Sequence, residues 1–344
     1  MFSYYFSAPL AFLLSSICIW LILRMPENFI ALDRPNSRSL HEVPTPRVGG
    51  VAILVGIIFP FCLFVFLADV QFNYSLILAA LILVAGVSII DDFYSISFFI
   101  RLIVHVSAAF LVVSFGYVIE NFSTTWGVVT LPSYIATIIT VLFIVWMINL
   151  YNFMDGIDGL AGGMAAFGFG TFAIIGFLEG QSGFAVTSLV IASSSLGFLL
   201  WNYPPARIFM GDSGSSSLGF LAATLSIWAH LNELISIWIS FVIFSPFIVD
   251  ATVTLIRRII MCERFWDAHK THYYQLVAES GVSRKRLVNF EYGLMLVSSV
   301  MAIFIYNATS VTQVSSILML LIIYVILFIY AKKMFDNAQK IIRS

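Results

Sequence analysis

The chain has 344 residues, of which 60% are hydrophobic and 10% charged, against about a quarter charged in an ordinary soluble domain, so the composition argues against a water-soluble globular protein. Its 17 Lys and Arg nearly cancel 18 Asp and Glu, and a net charge of -1 leaves no basic face for nucleic acid.

A bilayer core about 30 Å thick takes about 20 helical residues to cross. Apolar runs of that length fall near residues 4–24, 48–68, 74–91, 98–119, 132–151, 161–178, 183–201, 214–230, 234–256, 288–306 and 311–331, eleven candidate spans. Backbone polar groups in hydrocarbon need internal partners, so these runs are expected as helices and the fold class as all-α, a polytopic membrane bundle. The first run follows no basic segment and precedes no small-residue cleavage site, which favours a span over a signal peptide. The longest polar stretch, 257–287, is too short for a core of its own, so residues 1–344 read as one membrane domain.

Alternating the spans puts the polar segments 25–47, 91–97, 152–160, 202–213 and 257–287 on one side. Nearly all the Lys and Arg fall there, and none on the other side, which marks that side as cytoplasmic. With eleven spans the C-terminus is then cytoplasmic and the N-terminus outside. Asp69, Glu120, Glu179 and Glu233 sit singly on the outer side and read as solvated caps. Cys18, Cys62 and Cys262 resemble neither a disulfide framework nor a metal clip and read as small buried residues.

The chemistry-bearing clusters lie on the basic side. The first loop brings Arg34, Arg38, His41 and Arg47 before Gly49-Gly50, with proline and glycine punctuation that describes a fixed loop suited to bidentate phosphate contacts. Asp91 and Asp92 end the third span, where the helix dipole is unfavourable to carboxylates unless a cation, a metal ion or Arg101, stands nearby. Asn149, Asn152, Asp155 and Asp158 recur every three residues, a drifting helical stripe that must face protein, water or ligand, because a central charge costs about 2.5–3.5 kcal/mol on insertion. Asp212, followed by Ser213 and the run Ser215-Ser216-Ser217, opens the eighth span, as a helix cap or as part of a phosphate or cation site. Asp250 lies deeper and precedes Arg257-Arg258 and the pair His269 and His272, three apart but without a third ligand for zinc. Carboxylates without thiolates suit Mg²⁺ or Mn²⁺, arginines suit phosphates, and together they suggest phosphoryl transfer at the membrane surface.

The Asp-Asp pair, Asn-x-x-Asn-x-x-Asp-Gly-Ile-Asp-Gly-Leu and Gly-Asp-Ser-Gly occur in an order that resembles the polyprenyl-phosphate N-acetylhexosamine-1-phosphate transferases. The resemblance runs from Asp33 to the His272 loop. It implies transfer of a sugar 1-phosphate from a UDP-N-acetylhexosamine to undecaprenyl phosphate at the cytoplasmic face of a bacterial inner membrane, releasing UMP and starting a surface glycan such as O-antigen or capsule. It further implies Asp212 and Asp92 as Mg²⁺ ligands, with Mn²⁺ as substitute, and Asp91, Asp92, Asp212 and His272 as catalytic residues, Asp91 the favoured base. Asn152, Asp155, Asp158, Arg47, His41, Arg101, His269 and Arg257 are implied in substrate binding. Membrane lipid and a second copy of the chain are candidate partners.

Many relatives carry a His-x-His-His run where this chain has His272-Tyr-Tyr-Gln, and that form looks like the branch that uses deoxy sugars such as N-acetylfucosamine or N-acetylquinovosamine, with N-acetylglucosamine next. A secondary transporter would also bury acids and break helices, but at span centres and not at one edge. A structural scaffold would leave the acidic motifs unused.

Overall fold

The structure is a computed structural model that describes residues 2–33, 44–68, 74–124, 127–264 and 270–343. It is an all-α membrane bundle. In chain order the helices are α1 (Phe2–Ile22), α2 (Gly49–Ala68), α3 (Tyr74–Tyr94), α4 (Phe98–Ser114), α5 (Ser133–Phe153), α6 (Leu160–Leu178), α7 (Ser182–Asn202), α8 (Gly211–Leu231), α9 (Ile237–Ile243), α10 (Ser245–Ile260), α11 (Tyr273–Glu279), α12 (Arg284–Ile305) and α13 (Ser310–Arg343). Among the described residues two small hairpins join them. Strand β1 (Leu32–Asp33) pairs antiparallel with β2 (Thr45–Pro46), and β3 (Asn121–Thr124) with β4 (Gly127–Thr130).

Among the described residues seven helices are both long and apolar enough to cross a membrane, or eight with α9 and α10 taken as one bent span. Each of the eleven expected runs coincides with helix, but the ninth is not continuous: α9 and α10 meet at 87°. Pro246 explains the break, because its ring cannot donate to the helical ladder and collides with the carbonyl four residues back, whereas it fits the first turn of a new helix. The fourth run stops at Ser114, before the β3–β4 hairpin, and the last continues past 331 to Arg343. The long polar stretch contains a helix of its own, α11.

α8 occupies the centre. Every residue from Gly211 to Ala229 is buried, so the helix meets protein on all sides and needs no lipid-compatible surface. That environment accounts for its many small and hydroxyl residues: Gly219 lies where a Cβ would stand 2.4 Å from the Met147 carbonyl of α5, and Ser217 and Ser226 donate back to Ser213 and Ala222 at 2.6 Å. α13 is the opposite case, with Leu318, Ile322, Val325, Ile326 and Ile329 all exposed as a lipid-facing surface. The cysteines are not the buried residues expected: Cys62 and Cys262 are exposed and Cys18 is partly so. Small apolar side chains on a lipid-facing or terminal turn need no burial.

Candidate active site

Asp91 and Asp92 near the end of α3, Arg101 in the first turn of α4, Asn152 near the end of α5 and Asp212 in the first turn of α8 meet at one end of the bundle. Antiparallel succession delivers them there, since the C-terminal ends of α3 and α5 lie beside the N-terminal ends of α4 and α8.

Of the two readings of Asp212, the helix cap does not hold: it stands one residue inside α8, whose N-cap position is Met210 without a side-chain bond. The cap comes from another helix. Asp92 accepts the Asp212 N–H at 2.8 Å and the Ser213 N–H at 3.1 Å, satisfying two donors that a helix start leaves open and setting its charge at the positive end of the dipole. Gly211 makes this approach possible. Its φ of +73° is open to glycine, and a Cβ there would stand 2.8 Å from both Asp92 carboxylate oxygens.

With Asp92 so occupied, Asp212 is free to pair outward. Its Oδ1 accepts Arg47 Nη2 at 2.5 Å, and its Oδ2 pairs with Arg101 Nη1. Arg101 also reaches Asp91 Oδ2 at 2.8 Å, and Arg47 Nε lies 3.5 Å from Asp92 Oδ1. Asp91 Oδ1 accepts the Ile96 N–H at 2.5 Å, which turns the chain out of α3. Arg101 is thus the cation that the dipole argument required beside the Asp pair.

Arg47 is placed by backbone pairing. The Phe209 N–H donates to Pro46 at 2.7 Å, and the N–H groups of Gly49 and Gly50 donate to Phe209 and Met210 at 2.9 and 2.7 Å. Gly50 and Gly214 bring α2 and α8 together so closely that a Cβ on Gly50 would fall 2.0 Å from the Gly214 nitrogen. Desolvation would lower the Arg47 pKa, but the charges of Asp212 and Asp92 overcome it and hold the guanidinium above its ordinary value. The acids are covered and the arginines less so: side-chain exposure is 7% at Asp91, 1% at Asp92 and 10% at Asp212, against 37% at Arg47 and 27% at Arg101. An anion arriving at this surface meets guanidinium first.

The expected four-residue helical stripe holds only for Asn149 and Asn152, because α5 ends at Phe153 and Asp155 and Asp158 lie in the following turn. Asn152 Nδ2 donates to Ser215 Oγ at 3.0 Å, one turn beyond Asp212. Burial, then the Asp212 charge, hold the Asp155 carboxyl well above the usual carboxylate range. Asp158 accepts the Ala206 N–H at 3.1 Å, with Arg284 at 3.7 Å, so it ties this turn to the segment after α7 and to α12.

His272 opens α11 and is buried. Its Nδ1 lies 3.4 Å from Asp250 Oδ1, and its ring faces Phe153, the neighbour of Asn152, with centroids 6.3 Å apart. Asp250 also accepts the N–H groups of Tyr273 and Tyr274 at 3.0 and 3.1 Å, so here too a carboxylate from one helix caps another. Arg257 Nη2 donates to the Thr271 carbonyl at 2.5 Å and its guanidinium lies over the Tyr273 ring, which makes it a support of the His272 segment. His41 and His269 lie outside the described residues.

Three structural residues escaped the sequence reading. Asn202, at the end of α7, accepts the Gly159 N–H and donates to the Ile208 carbonyl, both at 2.8 Å; the signal was an amide before Tyr-Pro-Pro. Tyr292 donates to the Gly159 carbonyl at 2.8 Å and Tyr274 to the Phe153 carbonyl at 3.2 Å. Nothing local distinguishes these tyrosines from the other aromatics of the chain.

Three carboxylates without thiolate or imidazole form a hard donor set that fits Mg²⁺ or Mn²⁺, and each carboxylate oxygen keeps a lone pair beyond its present partner. Among the described residues no three His, Cys, Asp or Glu side chains stand as a ready-made metal cage, and Arg47 and Arg101 supply the positive charge between the acids.

The model for glycosyl transferase family 4 matches residues 74–230, from the start of α3 to the end of α8, which includes Asp91, Asp92, Arg101, Asn152, Asp155, Asp158 and Asp212. A probable undecaprenyl-phosphate N-acetylglucosaminyl 1-phosphate transferase of Bacillus subtilis is 31% identical over 312 residues, 87% of this chain and 85% of the relative. The chain belongs to the polyprenyl-phosphate N-acetylhexosamine-1-phosphate transferase family. Another member, the undecaprenyl-phosphate alpha-N-acetylglucosaminyl 1-phosphate transferase of Haemophilus influenzae, is 30% identical over 281 residues, 77% of each chain. A phospho-N-acetylmuramoyl-pentapeptide-transferase of Bacillus subtilis is 33% identical over 151 residues, 42% of this chain and 44% of the relative. The transferase is a multi-pass membrane protein, and its acid cluster lies at helix ends, not at the span centres a transporter would use.

Proposed function

We propose that this transferase moves the N-acetylhexosamine 1-phosphate of a UDP-sugar onto undecaprenyl phosphate at the cytoplasmic face of a bacterial inner membrane, releasing UMP. The lipid-linked product then initiates a cell-surface polysaccharide such as O-antigen or capsule. The observation that carries this reading is the layering of the site: two guanidiniums lie over three covered carboxylates at the membrane edge, in a chain whose relatives are named for such transfers.

Donor diphosphate and acceptor phosphate repel each other, so the first task of the protein is to hold two anions together. Arg47 and Arg101 do this as bidentate cations whose positions Asp92, Asp91 and Asp212 fix. An oxygen of the acceptor phosphate bonds to the sugar-bearing phosphorus, the bond from that phosphorus to the bridging oxygen breaks, and the bridging oxygen leaves with UMP. Asp91 takes the proton of an acceptor that arrives protonated. Asn152 and Asp155 border the donor, and His272, held by Asp250 beside the Phe153 ring, supports the same edge. Asp212 and Asp92 would hold Mg²⁺, or Mn²⁺ in its place, which when bound offsets the charge that develops on the pyrophosphate.

The donor is assigned as an N-acetylhexosamine. The names of the relatives favour N-acetylglucosamine, and the His272-Tyr-Tyr-Gln segment favours a deoxy sugar. Mass spectrometry of the lipid fraction after incubation with undecaprenyl phosphate and each UDP-sugar in turn tests the assignment. A new lipid heavier by one N-acetylhexosamine phosphate is expected with one donor of the panel, and unchanged lipid with every donor would overturn it.

A further inference from the structure

Away from the acid cluster, α10, α11, α12 and α13 enclose a cavity of about 310 Å³. Its walls are aromatic and apolar, with Phe290 and Leu294 from α12, Leu327 and Phe328 from α13, and Tyr273, whose ring stacks on Phe328 with centroids 3.9 Å apart. Glu291 in the second turn of α12 lines the same space, and among the described residues its carboxylate has no hydrogen bond or ion pair. The other acid on the wall, Asp250, is satisfied by the Tyr273 and Tyr274 N–H groups and the Thr254 hydroxyl. Arg286, exposed in the first turn of α12, lines the cavity too and likewise has no partner among the described residues.

An unpartnered carboxylate at membrane depth marks a site that takes a cation or a hydrogen-bond donor. Arg286 supplies the opposite charge about 7.5 Å away along the helix axis, from five residues at 1.5 Å each. A ligand that answers both charges is a zwitterion with its positive end on Glu291 and its negative end on Arg286, joined to a hydrocarbon tail for the apolar walls.

We propose that this cavity binds a phospholipid with a primary ammonium headgroup, the ammonium on Glu291, the phosphate on Arg286 and an acyl chain along Phe290, Leu294 and Leu327. An anionic lipid would set its charge against Glu291 and Asp250, and a quaternary ammonium has no N–H to donate to the carboxylate. The inference is independent of the transferase reaction, since it concerns other residues and its test reads binding, not turnover.

The test is native mass spectrometry of the full chain released from mixed micelles holding equal phosphatidylethanolamine, phosphatidylcholine and phosphatidylglycerol of matched chain length. The wild type should retain one phosphatidylethanolamine in preference to either other lipid by about tenfold. Glu291→Gln should bring the three lipids to parity, and the exposed Arg286→Gln should weaken retention severalfold while leaving the fold intact. Equal retention of phosphatidylglycerol or phosphatidylcholine by the wild type, or undiminished phosphatidylethanolamine on Glu291→Gln, would overturn the proposal.

Discussion

Asp212 carries two guanidiniums at once, so its charge, more than its shape, is what the site depends on. In Asp212→Asn the amide keeps one acceptor but loses that charge, while Arg47 and Arg101 retain Asp92 and Asp91. Turnover is expected to fall by about 10²–10³, the scale of losing one preorganised electrostatic contact, with the helical circular dichroism unchanged. Wild-type turnover in this variant would reduce Asp212 to a brace. The acids themselves were legible in the sequence, because charge at the edge of an apolar run is costly and conspicuous. Their partners were not: Asp92 caps a helix start 120 residues further along, and no local pattern announces a contact of that separation. For the same reason the sequence leaves Asp212 open between a cap and a ligand site, although another aspartate already fills the capping role.

At the scale of elements, a few side chains fix how turns dock on helices. A Cβ at Gly156 would fall 2.0 Å from the Tyr274 hydroxyl, so the turn after α5 and the helix α11 fit only while residue 156 is glycine. Gly156→Ala should lower both thermal stability and turnover, by about 1–3 kcal/mol in stability as overpacking costs. Tyr274→Phe removes the colliding oxygen, so the double variant should be more stable than Gly156→Ala alone; additive losses in thermal unfolding would contradict the contact.

At the opposite end, Glu179, expected as a solvated cap, accepts Tyr306 Oη at 2.8 Å and Asn307 Nδ2 at 3.0 Å, tying the end of α6 to the turn between α12 and α13. These donors hold its carboxyl below the usual range. The tie is therefore present above the ordinary Glu pKa of about 4.3 and lost as pH falls through the lowered value. Hydrogen exchange at residues 306–309 should quicken over that acid window in the wild type and show no such step in Glu179→Gln. Hydropathy located the elements because it measures what lipid tolerates. It gives no direction, so the bend before Pro246 lay within one apolar run, and the signal that could have marked it was the Ser-Pro pair.

Across the whole molecule, the alternation of α3, α4, α5 and α8 assembles one charged surface from residues spread between Arg47 and Asp212. α8 at the centre makes this surface rigid, since it is buried along its length and capped from α3. The one-sided distribution of polar clusters was readable from the alternation of spans. The pairing of each acid with a particular arginine was not, because it depends on how the loop before α2 lies against the segment before α8.

The acid and arginine cluster is proposed to perform phosphoryl transfer between a nucleotide sugar and a lipid phosphate. UMP release by the purified protein, with UDP-N-acetylhexosamine and with or without undecaprenyl phosphate, Mg²⁺ and EDTA, tests it most directly. Release should require the lipid, stop when EDTA removes the metal, resume when Mg²⁺ is restored, and fall by about 10²–10³ in Asp212→Asn. Release that proceeds without lipid, or at the wild-type rate in that variant, would overturn this assignment.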